Sequence, residues 1–195
     1  MASPQPNPPA AVVVPEYSPE ERRLLLELAH RAVRASLEDR EIDLTPPSGH
    51  LAEPRGAFTT WHLRGQLRGC VGYVLALHPL YRTVAETAVA AAFHDTRFYP
   101  VSAEEVAELE AEISVLSPLR PIRPEEIEIG RHGLVVGLGR QRGLLLPQVP
   151  GEYGWNVETF LEETCHKAGL PGDAGRRGAA IEGFTAEVFG DGDSR

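Results

Sequence analysis

Two runs of alternating apolar residues, separated by only two positions, constrain this chain more than anything else in it. "GAFTTWHL" and "QLRGCVGY" flank Arg64-Gly65. Alternation at period two marks each run as a strand with one covered face. A two-residue connection then leaves room only for an antiparallel hairpin. Arg-Gly is a weaker turn signal than Asn-Gly, so the pairing is expected while its register stays open.

The remaining elements follow the same short-connection logic. Ser18 and Glu21 form a capping box with Pro19 at the first helical position, and Leu26, Ala29, Val33 and Leu37 continue as an apolar stripe. A second helix is expected from Pro79 to about Phe93, where Ala85, Ala88, Ala91 and Ala92 permit close approach. Ser102 and Glu105 read as a capping box for a short helix ending near Leu109. "EAEISVLS" alternates, with Ala111, Ile113 and Val115 on one face, and "GLVVGLGRQRGLLLPQV" reads as two strands about a turn. A helix capped by Asn156 and stopped by Gly169 follows, and "FTAEVF" closes the chain as one strand. The sum is an α+β domain with mainly antiparallel sheet packed with helices, not a doubly wound parallel sheet. Its expected span is 16–190, after a Pro-rich disordered tail over 1–15 and before a short polar tail over 191–195.

Composition removes whole classes of function. A net charge of -9 without a basic run disfavours nucleic acid. No segment has the roughly 18 apolar residues of a membrane span, and no secretory signal is legible, so a soluble cytoplasmic protein is expected. Two cysteines without CxxC spacing argue against a disulfide scaffold and a zinc site, and fit a reducing compartment. The seven histidines show no metal spacing, so no metal site is expected. "GLGRQRG" is GxGxxxG followed by "LLLP" rather than a helix, which makes it a hairpin turn and not a nucleotide loop. No catalytic signature stands out, and no cofactor can be named.

One stretch remains conspicuous. In "QLRGCVG", alternation puts Arg68 and Cys70 on one face and sends Leu67, Val71 and Tyr73 into the core. Gly69 and Gly72 each weaken a strand by roughly 0.5–1 kcal/mol relative to alanine. Either a bulge or the close approach of a ligand or a second backbone would justify that cost. Two readings stand. In one, Cys70 is a nucleophile or ligand contact, with Arg68, Gly69 and Gly72 as ligand-binding positions and the neighbouring guanidinium favouring a thiolate. In the other, Cys70 is a small packed residue of a bulged strand. His94, beside Asp95, and His132, in "GRHG", are the candidate helpers. Cys165 lies on the apolar face of its helix and reads as packing.

Four stretches, "GAFTTWHLRGQLRGCVGY", "RFYPVSAEEVAELEAEISVLSPLRPI", "IEIGRHGLVVGLGRQRGLLLPQV" and "FLEETCHKAGLP", together resemble the AMMECR family over roughly residues 18 to 190. The family's six-residue hallmark, Leu-Arg-Gly-Cys-Ile-Gly, stands here as Leu67 to Gly72 with Val71 in place of isoleucine. The chain departs from the family pattern at Thr96, where a proline is usual, and at Gly175-Arg176, near a usual tryptophan. The resemblance implies two α+β lobes with the hallmark near a cleft between them. It also implies the A component of the AmmeMemoRadiSam system, working beside a Memo-like protein of dioxygenase fold and a radical S-adenosylmethionine protein. It implies no settled reaction. A ligand-processing site and a non-enzymatic docking module for those partners both remain open.

Overall fold

A computed structural model describes residues 15–194; the Pro-rich stretch expected as a disordered tail lies, but for Pro15, outside the described residues. In chain order the elements are α1 (Pro19–Leu37), β1 (Ala57–Leu63), β2 (Gln66–Tyr73), α2 (Leu80–Phe93), β3 (Leu109–Leu116), β4 (Arg120–Pro121), β5 (Gly133–Leu138), β6 (Gln141–Leu145), α3 (Val149–Tyr153), α4 (Val157–Lys167), β7 (Ala180–Phe184) and β8 (Ala186–Gly190). They build two antiparallel four-stranded sheets, β2-β1-β3-β8 and β4-β7-β5-β6. The fold is α+β, with helices packed on antiparallel sheet.

The expected hairpin forms about Arg64 and Gly65, both with positive φ (53° and 73°), which is the primed turn whose twist suits a two-residue loop. Alternation along β1 buries Ala57, Thr59 and Trp61 under α2. There the indole Nε1–H of Trp61 donates to the Ala88 carbonyl at 2.9 Å, and the Thr59 and Thr87 hydroxyls meet at 2.8 Å. The α2 alanines let the helix lie this close. α1 packs over α2 through Leu25, Leu28, Ala29 and Ala32, completing the first core. Its capping box is present as read from the sequence.

The second sheet carries α4 on β5 and β6. The Asn156 side chain accepts from the Thr159 N–H at 2.9 Å, and Gly169 (φ 72°) ends the helix, as expected. Cys165 is fully buried beside Val136, Ala168 and Leu170. "GLGRQRG" is the turn of the β5–β6 hairpin.

Three expectations need correction. "FTAEVF" is not one strand: Phe184 ends β7 in the second sheet, Thr185 turns, and Ala186 starts β8 in the first. Alternation alone cannot show a chain changing sheets. The crossing is held where Ser117 N–H donates to the Thr185 carbonyl (2.9 Å) and Thr185 N–H to Ser117 Oγ (3.0 Å). The short helix before Leu109 is a turn and a single 3-10 turn, Val106–Glu108. Asp191, the first residue of the expected polar tail, is instead anchored: its Oδ2 accepts the Ala111 N–H at 2.7 Å and lies 2.8 Å from His30 Nε2.

Phe58, Val74, Leu144, Leu146 and Ala186 pack around Leu116, Val135 and Phe184, drawing residues from both sheets into one cluster. The face of the first sheet turned away from α2 therefore meets the second lobe. Cys70 is on that face.

Candidate functional site

Pairing between β1 and β2 slips within the hallmark motif. Trp61 opposes Gly69 but His62 opposes Leu67, so Arg68 is the extra residue of a β-bulge. One extra residue inverts the alternation. Leu67 thereby joins the outer face with His62 and is 43% exposed, while Tyr73 keeps the inner phase but is 39% exposed beyond the main cover of α2. Only Val71 packs on the first core, against the expectation for all three.

The bulge also separates Arg68 from Cys70. The Arg68 guanidinium turns to the segment after α2, where Nε and Nη2 donate to the Glu105 carboxylate at 3.0 and 2.9 Å. Nη1 donates to the Tyr99 carbonyl at 2.9 Å, and Nη2 also reaches the Pro100 carbonyl at 3.4 Å. The Arg68 side chain is 14% exposed and its fork is engaged on both edges. That is a brace, not an open anion site. The guanidinium and the Ser102 N–H hold Glu105 below the ordinary carboxylate range. Glu105 still accepts the Ser102 N–H at 2.9 Å, the reach-back half of the expected capping box, although no regular helix follows.

Cys70 is directly opposite Thr60, whose Oγ1–H donates to Sγ at 3.2 Å; the thiol is half-buried. The Cys70 N–H donates to Asp95 Oδ2 at 2.9 Å, and Arg97 Nη2 reaches the Cys70 carbonyl at 3.4 Å. β2 is an edge strand. Asp95 and Arg97 thus supply, as side chains, the acceptor and donor that a further strand would have offered, which seals the edge. Asp95 is buried and also accepts from Arg97 N–H, Nε and Nη2, at 3.1, 3.0 and 2.7 Å. Chiefly the Arg97 hydrogen bond, helped by the Cys70 and Arg97 backbone N–H groups and opposed by burial, holds Asp95 far below the ordinary aspartate range.

A depressed carboxyl stabilises the fold above its unfolded pKa and loses that contribution as pH falls toward its folded one. Asp95→Asn should therefore cost about 2 kcal/mol at neutral pH. The gap to wild type should stay constant down to about pH 4 and narrow below it. Urea unfolding at a series of pH values reads this directly, and a gap independent of pH would refute the assignment.

The glycines receive an internal explanation. A Cβ on Gly69 would lie 2.1 Å from the Ala91 carbonyl oxygen of α2. One on Gly72 would lie 2.2 Å from the Phe58 ring and 2.7 Å from the Ala57 carbonyl. The room they leave is filled by a second backbone and an aromatic ring, not held open for a ligand. His94 is exposed at the end of α2 and lines a groove against α1. His132 closes a turn in the second lobe, its Nδ1 accepting the Glu128 N–H at 3.0 Å. Neither makes a hydrogen bond to Cys70.

Sequence reading missed Asp95, Arg97, Glu105 and Tyr99 as motif partners. The available signal was an acid and an arginine two positions apart at a helix end, Asp95-Thr96-Arg97, but nothing local says that they fold back onto β2. Among the described residues no cluster of three or more His, Cys, Asp or Glu could hold a metal ion. Among these residues no helix is long and apolar enough to cross a membrane.

Fold and site together define a class: two antiparallel sheets laced by a crossing strand, with a glycine-flanked cysteine on a side-chain-sealed edge. The chain belongs to the AMMECR1 family, whose sequence model matches residues 26–189. A protein of Thermococcus gammatolerans is 41% identical over 181 residues, covering 85% of this chain and 87% of its own. One from Aquifex aeolicus is 40% identical over 177 residues, covering 86% and 91%. The crystal structure of an uncharacterized protein from Pyrococcus horikoshii superposes with a TM-score of 0.74 at 40% identity, over 85% of this chain and 89% of that one.

Proposed function

We propose that this protein is a non-enzymatic docking module, and that the hallmark motif shapes a binding surface rather than performing a reaction. The observation that carries this is the use of Arg68. A nearly buried guanidinium pins the Tyr99 and Pro100 carbonyls, and the Tyr99 side chain between these anchors is 91% exposed. A tyrosine presented on a braced loop loses little conformational freedom on binding, which is the usual chemistry of an interface hot spot. Arg97 beside it, anchored by Asp95 and over the Phe98 ring, adds a cation to the same loop. By family resemblance the partners are the Memo-like and radical S-adenosylmethionine proteins, met in the cytoplasm.

The test is co-purification of the tagged chain with each partner. Tyr99→Ala should weaken capture at least about tenfold without lowering the melting temperature. Capture unchanged by Tyr99→Ala would refute the loop as the docking site. A second reading has one observation behind it: Cys70 is only partly buried, and its sulfur takes a hydrogen bond from Thr60. If chemistry occurs there, Cys70 should be alkylated at neutral pH well ahead of buried Cys165. Equal silence of both thiols until unfolding would leave the docking reading alone.

A further inference from the structure

Between the end of β2 and the start of α2, large apolar side chains are left in water. Tyr73 is 39% exposed, Leu75 47% and Leu77 72%. Isolated exposed leucines are ordinary; three such side chains within five positions, beside concave surface, are not. A groove of about 680 Å³ runs between α1 and α2, floored by Ala32, Ala35, Ala85 and Val89 and walled by Ile42 and Leu44. A second concavity of about 370 Å³ holds Leu75 and Leu77, and Tyr73 and Glu86 line both. The rim is acidic. Asp39 and Glu41 offer carboxylates, whereas Arg40 is tied to Glu38.

We propose that this groove docks a basic amphipathic helix of a partner protein. The alanine floor lies low between the two helices, so larger apolar side chains of an incoming helix fill it at i, i+3 and i+4 spacing. Leu75 and Leu77 would cover the end of that apolar face. Lysines or arginines on its flank would meet Asp39 and Glu41, and a net charge of -9 favours a cationic visitor at long range. A small ligand would fill the groove yet leave Leu77 uncovered. The proposal is independent of the Tyr99 loop.

The test uses two synthetic amphipathic peptides of about 15 residues, enough for about 22 Å of helix. One is built from leucine and lysine, and the other carries glutamate for lysine. Fluorescence anisotropy should show saturable binding of the lysine peptide only. Leu75→Ser with Leu77→Ser should weaken it about tenfold and Glu41→Lys about threefold, while Tyr99→Ala leaves it unchanged. These side chains are exposed, so the variants keep the fold, which circular dichroism verifies. Equal binding of both peptides would overturn the proposal, as would lysine-peptide binding indifferent to the leucine substitutions. Loss of binding in Tyr99→Ala alone would move the site to the loop.

Discussion

Gly69→Ala should destabilise the protein by about 3 kcal/mol or more, the upper range for an overpacked core position. The added carbon would meet the Ala91 carbonyl oxygen at 2.1 Å, and that atom belongs to a helix backbone that cannot swing aside. α2 is itself held by Trp61 and Thr59, so relief would require the helix to lift from the sheet. For a chain of this size the melting temperature should fall by about 6–12 °C. Gly49→Ala is the control: nothing lies within 4 Å of its Cβ, and the change should stay within about 0.5 kcal/mol. A Gly69→Ala protein as stable as wild type would mean that the motif's first glycine is there for a visiting molecule after all.

Removing the brace should have the second large effect. Arg68→Ala leaves the Glu105 carboxylate with the Ser102 N–H alone and removes the Arg68 donor from the Tyr99 carbonyl, at a cost of about 3 kcal/mol. Arg68→Lys should recover less than half, because an ammonium cannot serve a carboxylate bidentately and two carbonyls at once. The loss should be local as well as global. Amide exchange should rise first in residues 99–105, the stretch that Arg68 ties to β2 through Tyr99, Pro100 and Glu105. An Arg68→Ala protein of undiminished stability whose loop stays protected would return Arg68 to the role of a ligand-binding residue.

These two residues show how the legibility of the site divides. Gly69 and Cys70 stand out in the sequence because a glycine in a strand has a local cost and a rare cysteine is easy to notice. What each touches could not be read. The bulge at Arg68 depends on how β2 registers against β1, and a one-residue slip reverses every face assignment beyond it. Leu67 and Arg68 were misassigned for that single reason. Asp95 and Glu105 act on the motif across 25 and 37 positions, a separation at which no spacing rule operates.

The sequence by itself determined the local units: the hairpin at Arg64-Gly65, the boxed start of α1, the Asn156–Gly169 limits of the last long helix and the antiparallel α+β class. Each of these rests on interactions among residues a few positions apart, where backbone preference and apolar periodicity decide the outcome. Only the tertiary structure decided that "FTAEVF" divides between two sheets at Thr185, that the glycines make room for α2 and Phe58, and that Arg68 braces a loop. Those outcomes depend on which surfaces come within contact after the units pack. Packing is settled by shape and by hydrogen-bond satisfaction between distant segments, and neither is written in any local pattern.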